Sequence, residues 1–239
     1  MNNQSSAHSL KALTQYFQRV EAVDVPHTGK SYLAHAIGVY RDLKAWGWTE
    51  TAARAGLFHS IYGTEIFQGF TLPLSQRDEI RSMIGDHAES LCYLNCALKR
   101  RQFDTEVARG FGPYRIGDRF ENTLIDLSNT VFLELCELHL CDWLEQVTRA
   151  KGWDYRRQGY RQIALQLGGT GLQKYRAIFD RAPEQAWFDG YLWPQNAKGC
   201  PTCPINPWSV RTPLTRTPHT DVNEYTYRGG RRFYWLEPG

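Results

Sequence analysis

No stretch of these 239 residues approaches the roughly 18 consecutive apolar residues that a membrane span needs. The amino terminus, MNNQSSAHSLKALTQYF, has neither the basic flank nor the apolar core of a secretory signal. An excess of one charge is missing too: 28 Lys and Arg against 25 Asp and Glu leave a formal net charge of +3. No basic run marks a footprint for nucleic acid or a membrane surface. Internal repeats and low-complexity tracts are also absent. Together these absences give no sign of a nucleic-acid or membrane partner and make a cytoplasmic protein the default expectation. They leave the oligomeric state open.

What is present is enough apolar material for one sizeable core, 42% of the residues. Six cysteines could in principle make three disulfides, but four of them have a plainer reading. Cys92, Cys96, Cys136 and Cys141 sit beside leucines in helical patterns, where cysteine behaves as a small hydrophobe. Cys200 and Cys203 form a lone C-x-x-C in a proline-rich stretch, a weak zinc or redox signal without a second pair.

Helical periodicity dominates the first three quarters. Residues 6–23 carry Leu10, Leu13, Tyr16, Phe17 and Val20 at helical spacing, and Pro26 ends the pattern. Ser31 caps a helix reaching Trp46, closed by Gly47, with His35 on its second apolar side. Thr49 opens the next, in which AARAGLF carries Arg54 as its one charge, so it is a central helix hidden among others; His59 ends it. Ser75 is the expected cap of a short helix to Ile84, and GDHAESLCYLNCALK reads as another. Residues 99–120, rich in Arg, Gly and aromatics, read as a connecting loop.

Asp126 to Val147 is the longest expected helix, apolar on most faces but interrupted by Glu134, Glu137, His139 and Asp142, at least one of which faces inward. Two more helices fit 154–167 and 171–182, divided by GGTG. From Pro183 onward lie eight of the eleven prolines and four of the eight tryptophans without helical period, so this part reads as an extended tail packed by its aromatics. The expected organisation is a helical domain over 1–150, then a helical hairpin and tail over 151–239.

Two buried helices each direct a histidine inward, and a third offers carboxylates. That constellation suits iron, manganese or zinc. The segment SYLAHAIGVYRDLKAWGWTETAARAGLFHSIYGTEIF resembles the first half of the HD-domain superfamily, the all-helical metal-dependent phosphohydrolases, and is nearest to the (p)ppGpp hydrolase pattern. IRSMIGDHAESLCYL and LELCELHLCDWL are similar to later segments, so the resemblance spans residues 27–147.

The resemblance implies an all-α, HD-like helical bundle, here with an irregular Pro- and aromatic-rich C-terminal extension. It implies a divalent metal ion (Fe, Mn or Zn) on His35 and His59, with Glu137 as the positional match for the last acidic ligand and Asp142 second. Ser60 stands where the superfamily has the aspartate of its His-Asp dyad, and Gly63-Thr64 replace acidic residues. In this the chain resembles a divergent subfamily with H-S-x-Y-G-T at the dyad. His27, eight residues before His35, or Glu65, six after His59, can repair the shell.

The implied activity is hydrolysis of a phosphorylated or nucleotide-like small molecule. Glu65 and Ser60 are the candidate catalytic residues, with Glu65 or Glu137 handling the proton. Tyr62 and Thr64 are candidates for substrate hydrogen bonds, and Lys30, Arg41 and Arg81 for neutralising phosphate. Without His27 the shell is two histidines and a carboxylate, which can hold ferrous iron, and the superfamily includes diiron oxygenases; an iron-dependent oxygenase is the first alternative. A catalytically inactive HD-like module that binds a ligand or protein is the second. Ser60, Tyr62 and Thr64 also have a plain reading as a helix end and polar turn, and His87 and His139 read as structural.

Overall fold

A computed structural model describes residues 9–182 together with the backbone of three strands further on, Thr215–Arg216, Asn223–Thr226 and Arg232–Trp235. The described chain is predominantly helical. Helix α1 (Leu10–Arg19) begins at Ser9 and turns Leu13, Tyr16 and Phe17 into the core. A tight antiparallel hairpin of β1 (Pro26–His27) and β2 (Lys30–Ser31) follows. Thr28 and Gly29 at its tip have φ of 42° and 73°, as a two-residue turn matched to strand twist requires.

Helices α2 (Tyr32–Ala45) and α3 (Glu50–Phe58) start where the caps place them. Ser31 Oγ accepts the Ala34 amide and Thr49 Oγ1 the Ala52 amide, each satisfying one orphan donor of a first helical turn. The two helices approach closely at Gly56. A Cβ there would lie 2.7 Å from Leu43 Cδ1 and 3.1 Å from the Tyr40 amide nitrogen. Because the second neighbour is backbone, Gly56→Ala must push α3 off α2. It is expected to cost about 1–3 kcal/mol, the usual penalty for overpacking, measurable by urea denaturation.

A 3-10 turn at Leu74–Gln76 leads into α4 (Arg77–Ile84), so Ser75 lies inside the turn and does not cap the helix. Helix α5 (Asp86–Ala97) is buried on most sides. The expected loop at 99–120 is structured: α6 (Arg100–Arg109) buries Phe103 and Val107, one turn apart, and β3 (Tyr114–Asp118) pairs antiparallel with β4 (Thr123–Leu127). Helix α7 (Asn129–Ala150) begins at the Ser128 cap, after β4 has used Asp126. Helices α8 (Arg157–Leu167) and α9 (Gly169–Phe179) follow, separated at Gly168. Strands β5 (Thr215–Arg216), β6 (Asn223–Thr226) and β7 (Arg232–Trp235) make an antiparallel sheet in that order.

Helix α7 serves two apolar clusters. Leu138 and Cys141 join the cluster built by α1 to α5; Phe132, Leu135, Leu140 and Leu144 join that of α6, α8 and α9. Cys92, Cys96, Cys136 and Cys141 are buried free thiols, as expected of small hydrophobes. Cys200, Cys203 and most of the tail lie outside the described residues. Among the described residues no helix is long and apolar enough to cross a membrane.

Candidate metal centre

The close α2–α3 crossing sets His35 and His59 with ring centroids 5.0 Å apart, and α7 delivers Asp142 between them. His35 Nε2 lies 3.3 Å from His59 Nε2 and 3.0 Å from Asp142 Oδ1, and His59 Nε2 lies 3.4 Å from the same oxygen. An ion about 2.1 Å from each donor requires tetrahedral donors about 3.4 Å apart or octahedral neighbours about 3.0 Å apart. The triangle has those dimensions.

The outer ring nitrogens decide what faces inward. His59 Nδ1 lies 2.8 Å from the Gly56 carbonyl, which can only accept, so this nitrogen carries the hydrogen. His35 Nδ1 lies 2.5 Å from Glu145 Oε2 and donates to it. Each imidazole, when neutral, therefore turns an Nε2 lone pair toward the centre, where it meets the other lone pair and an Asp142 oxygen. Three acceptors facing one another need a cation among them. In its absence a proton serves: burial opposes charge on His35, but the hydrogen bonds to Asp142 and Glu145 raise its pKa above the usual histidine value. Burial likewise opposes ionised Asp142, but the charge of His59 and the hydrogen bond from His35 hold its pKa well below the ordinary carboxylate range.

Around this triangle the chain supplies oriented support. Gln146 Nε2 donates to Asp142 Oδ1 at 2.9 Å, and Thr28 on the hairpin tip donates to Gln146 Oε1 at 2.9 Å. Asn95 Nδ2 donates to the His59 carbonyl at 2.9 Å. Its Oδ1 accepts from His139 Nδ1 at 3.0 Å, while His139 Nε2 accepts from Arg156 at 2.7 Å. His139 is thus structural: burial and the Arg156 charge lower its pKa well below the usual value.

The carboxylate partner of the histidines is Asp142, not Glu137. Glu137 accepts the Trp48 indole N–H on another side of α7. His27 is buried and stacks on His35 with centroids 4.3 Å apart, but it stands outside the three-donor triangle. Its Nε2 has no hydrogen-bond partner, and burial with the neighbouring His35 pushes its pKa down to about 3. Lys30, from the same hairpin, reaches Glu145 at 2.5 Å.

Other candidates lie elsewhere. Glu65 is exposed and accepts the Arg100 amide at the start of α6, which removes it from the centre. Tyr62 and Arg81 belong to a cluster on buried Glu89, which also holds Arg77. Thr64 Oγ1 accepts the Phe67 amide and closes a turn, and Arg41 is exposed on α2. Ser60 is buried beside His59, and its hydroxyl donates to Tyr32 Oη at 3.2 Å. Glu145, Gln146 and Asn95 were not singled out in the sequence. The available signal was spacing: Glu145 follows Asp142 by three residues and shares its face of α7.

A family model described as a domain of unknown function, DUF6817, matches residues 16–100. The match runs from within α1 to the start of α6, includes His35 and His59, and ends before Asp142. No curated protein and no solved structure matches the chain.

Proposed function

We propose that this chain is a metal-dependent phosphohydrolase of HD type that holds one divalent ion on His35, His59 and Asp142 and acts on a phosphorylated small molecule. The observation that carries the reading is the convergence of three acceptor atoms, 3.0 to 3.4 Å apart, with both outer imidazole nitrogens already committed. When bound, the ion supplies a nucleophile at neutral pH and polarises a phosphoryl oxygen. Lys30 and Arg149, both partly exposed and both within 2.6 Å of Glu145, balance the charges of Glu145 and Asp142. The added ion then leaves the site positive, which favours an anionic substrate. Ser60 has lost the dyad's carboxylate, so the protein shell counts three donors and leaves positions open.

The same count favours a second reading, a ferrous oxygenase, since two histidines and one carboxylate form a shell used for that chemistry. Elemental analysis of protein from metal-replete cells, followed by phosphate-release assays over phosphomonoesters and nucleotides, separates the readings. The expected result is near-stoichiometric zinc, manganese or iron and metal-dependent phosphate release. Iron with substrate-dependent oxygen uptake would favour the oxygenase, and protein without metal would leave a binding module. Because ligands bind unprotonated, affinity should fall with falling pH as His35, whose pKa is raised, takes its proton back.

A further inference from the structure

We propose that Glu145 is the positioning residue of this metal centre, and that the glycine at position 38 is what lets it reach His35. The inference rests on the metal reading above. Gly38 lies in the interior of α2, where glycine weakens a helix relative to alanine. The side chain that comes nearest to the space it leaves is that of Glu145. A Cβ at position 38 would fall 2.5 Å from Glu145 Oε1, 2.8 Å from Cδ and 2.9 Å from Cγ. All three are atoms of a flexible side chain, so alanine would displace the carboxylate without parting the helices.

That carboxylate is 5% exposed and accepts from Lys30 at 2.5 Å, from Arg149 at 2.6 Å and from His35 Nδ1 at 2.5 Å. Lys30 and Arg149 reach it from the partly exposed side, while His35 is fully buried, one turn before Gly38 on the same face of α2. A carboxylate on the outer nitrogen fixes the tautomer that leaves Nε2 as a lone pair, holds the ring plane and increases the basicity of the ligand; removing such a partner weakens metal binding about ten- to hundredfold. Of the three residues of the triangle, Glu145 bonds to His35, so its effect on the metal passes through that ring.

The test is titration of the full chain with zinc alone and with cobalt(II) alone, the latter read by visible absorption. Gly38→Ala, Glu145→Ala and Glu145→Gln are compared with the unaltered chain. Gly38→Ala and Glu145→Ala should bind roughly ten- to hundredfold more weakly and shift the cobalt bands, while helical circular dichroism is kept. Glu145→Gln should recover part of the loss, because an amide oxygen still accepts from Nδ1. Equal affinity and identical cobalt spectra in the alanine variants would overturn the proposal while leaving the metal site standing. An unaltered chain that takes up neither ion overturns the metal reading, and this inference with it.

Discussion

Asp142→Ala is expected to weaken zinc or cobalt binding by more than about a hundredfold, beyond what loss of an outer partner brings, while Glu137→Ala changes it less than about twofold. The two acids stand five residues apart on α7. At 3.6 residues per turn that separation rotates one about 140° from the other around the helix axis. Only one of them can meet His35 and His59, and the 3.0 and 3.4 Å contacts select Asp142. Its removal leaves two lone pairs with no anion to share a cation. Glu137 has a different task, taking the Trp48 indole N–H. Its loss should lower stability by about 1 kcal/mol, as for one hydrogen bond, without touching the metal. Calorimetric titration of both variants with zinc reads the contrast directly. Equal loss in the two would mean that α7 presents a different face.

That contrast also shows where the sequence is legible. Ser31 and Thr49 are readable as caps because capping is local chemistry within three residues, and both caps are made as expected. His35 and His59 are readable as inward-facing because their helices carry few charges. The rotation of α7 is not readable: Phe132, Leu135, Leu138, Leu140 and Leu144 are buried all around it, so no polar stripe marks a reference face. Glu145, next to the lipophilic run and flanked by Gln146, looks like a solvated residue until Lys30, Arg149 and His35 are seen to meet on it. Helix α6 hides behind its arginines, although Phe103 and Val107 have helical spacing and are both buried. The hairpin of β3 and β4 depends on pairing between Tyr114 and Leu127, thirteen positions apart, which composition cannot announce.

Asp104→Ala is expected to be the most destabilising single change, costing about 3–5 kcal/mol of folding free energy, the range seen when one partner of a buried ion pair is removed. Arg156 is 1% exposed and stands just before α8 with φ of 46°, in a region that residues with a side chain enter only when their surroundings hold them there. Asp104 on α6 holds it, accepting from Nε at 3.0 Å and from Nη2 as well. The guanidinium also meets the neutral His139 ring, the Tyr160 hydroxyl at 3.3 Å and the Tyr160 ring face. None of these carries a negative charge, so truncating Asp104 strands a cation in the interior. Such a loss is a large share of the roughly 5–15 kcal/mol that stabilises a domain. The second variant separates pairing from packing: Asp104→Ala combined with Arg156→Met removes both charges and should regain much of the loss. Urea denaturation of the single and double variants forms the cycle. The site should feel it too, since Arg156 orients His139, His139 orients Asn95, and Asn95 holds the His59 carbonyl. Zinc affinity in Asp104→Ala should therefore drop under conditions where the variant is still folded. Affinity equal to that of the unaltered chain would show that the ion pair supports the fold without reaching the metal ligands.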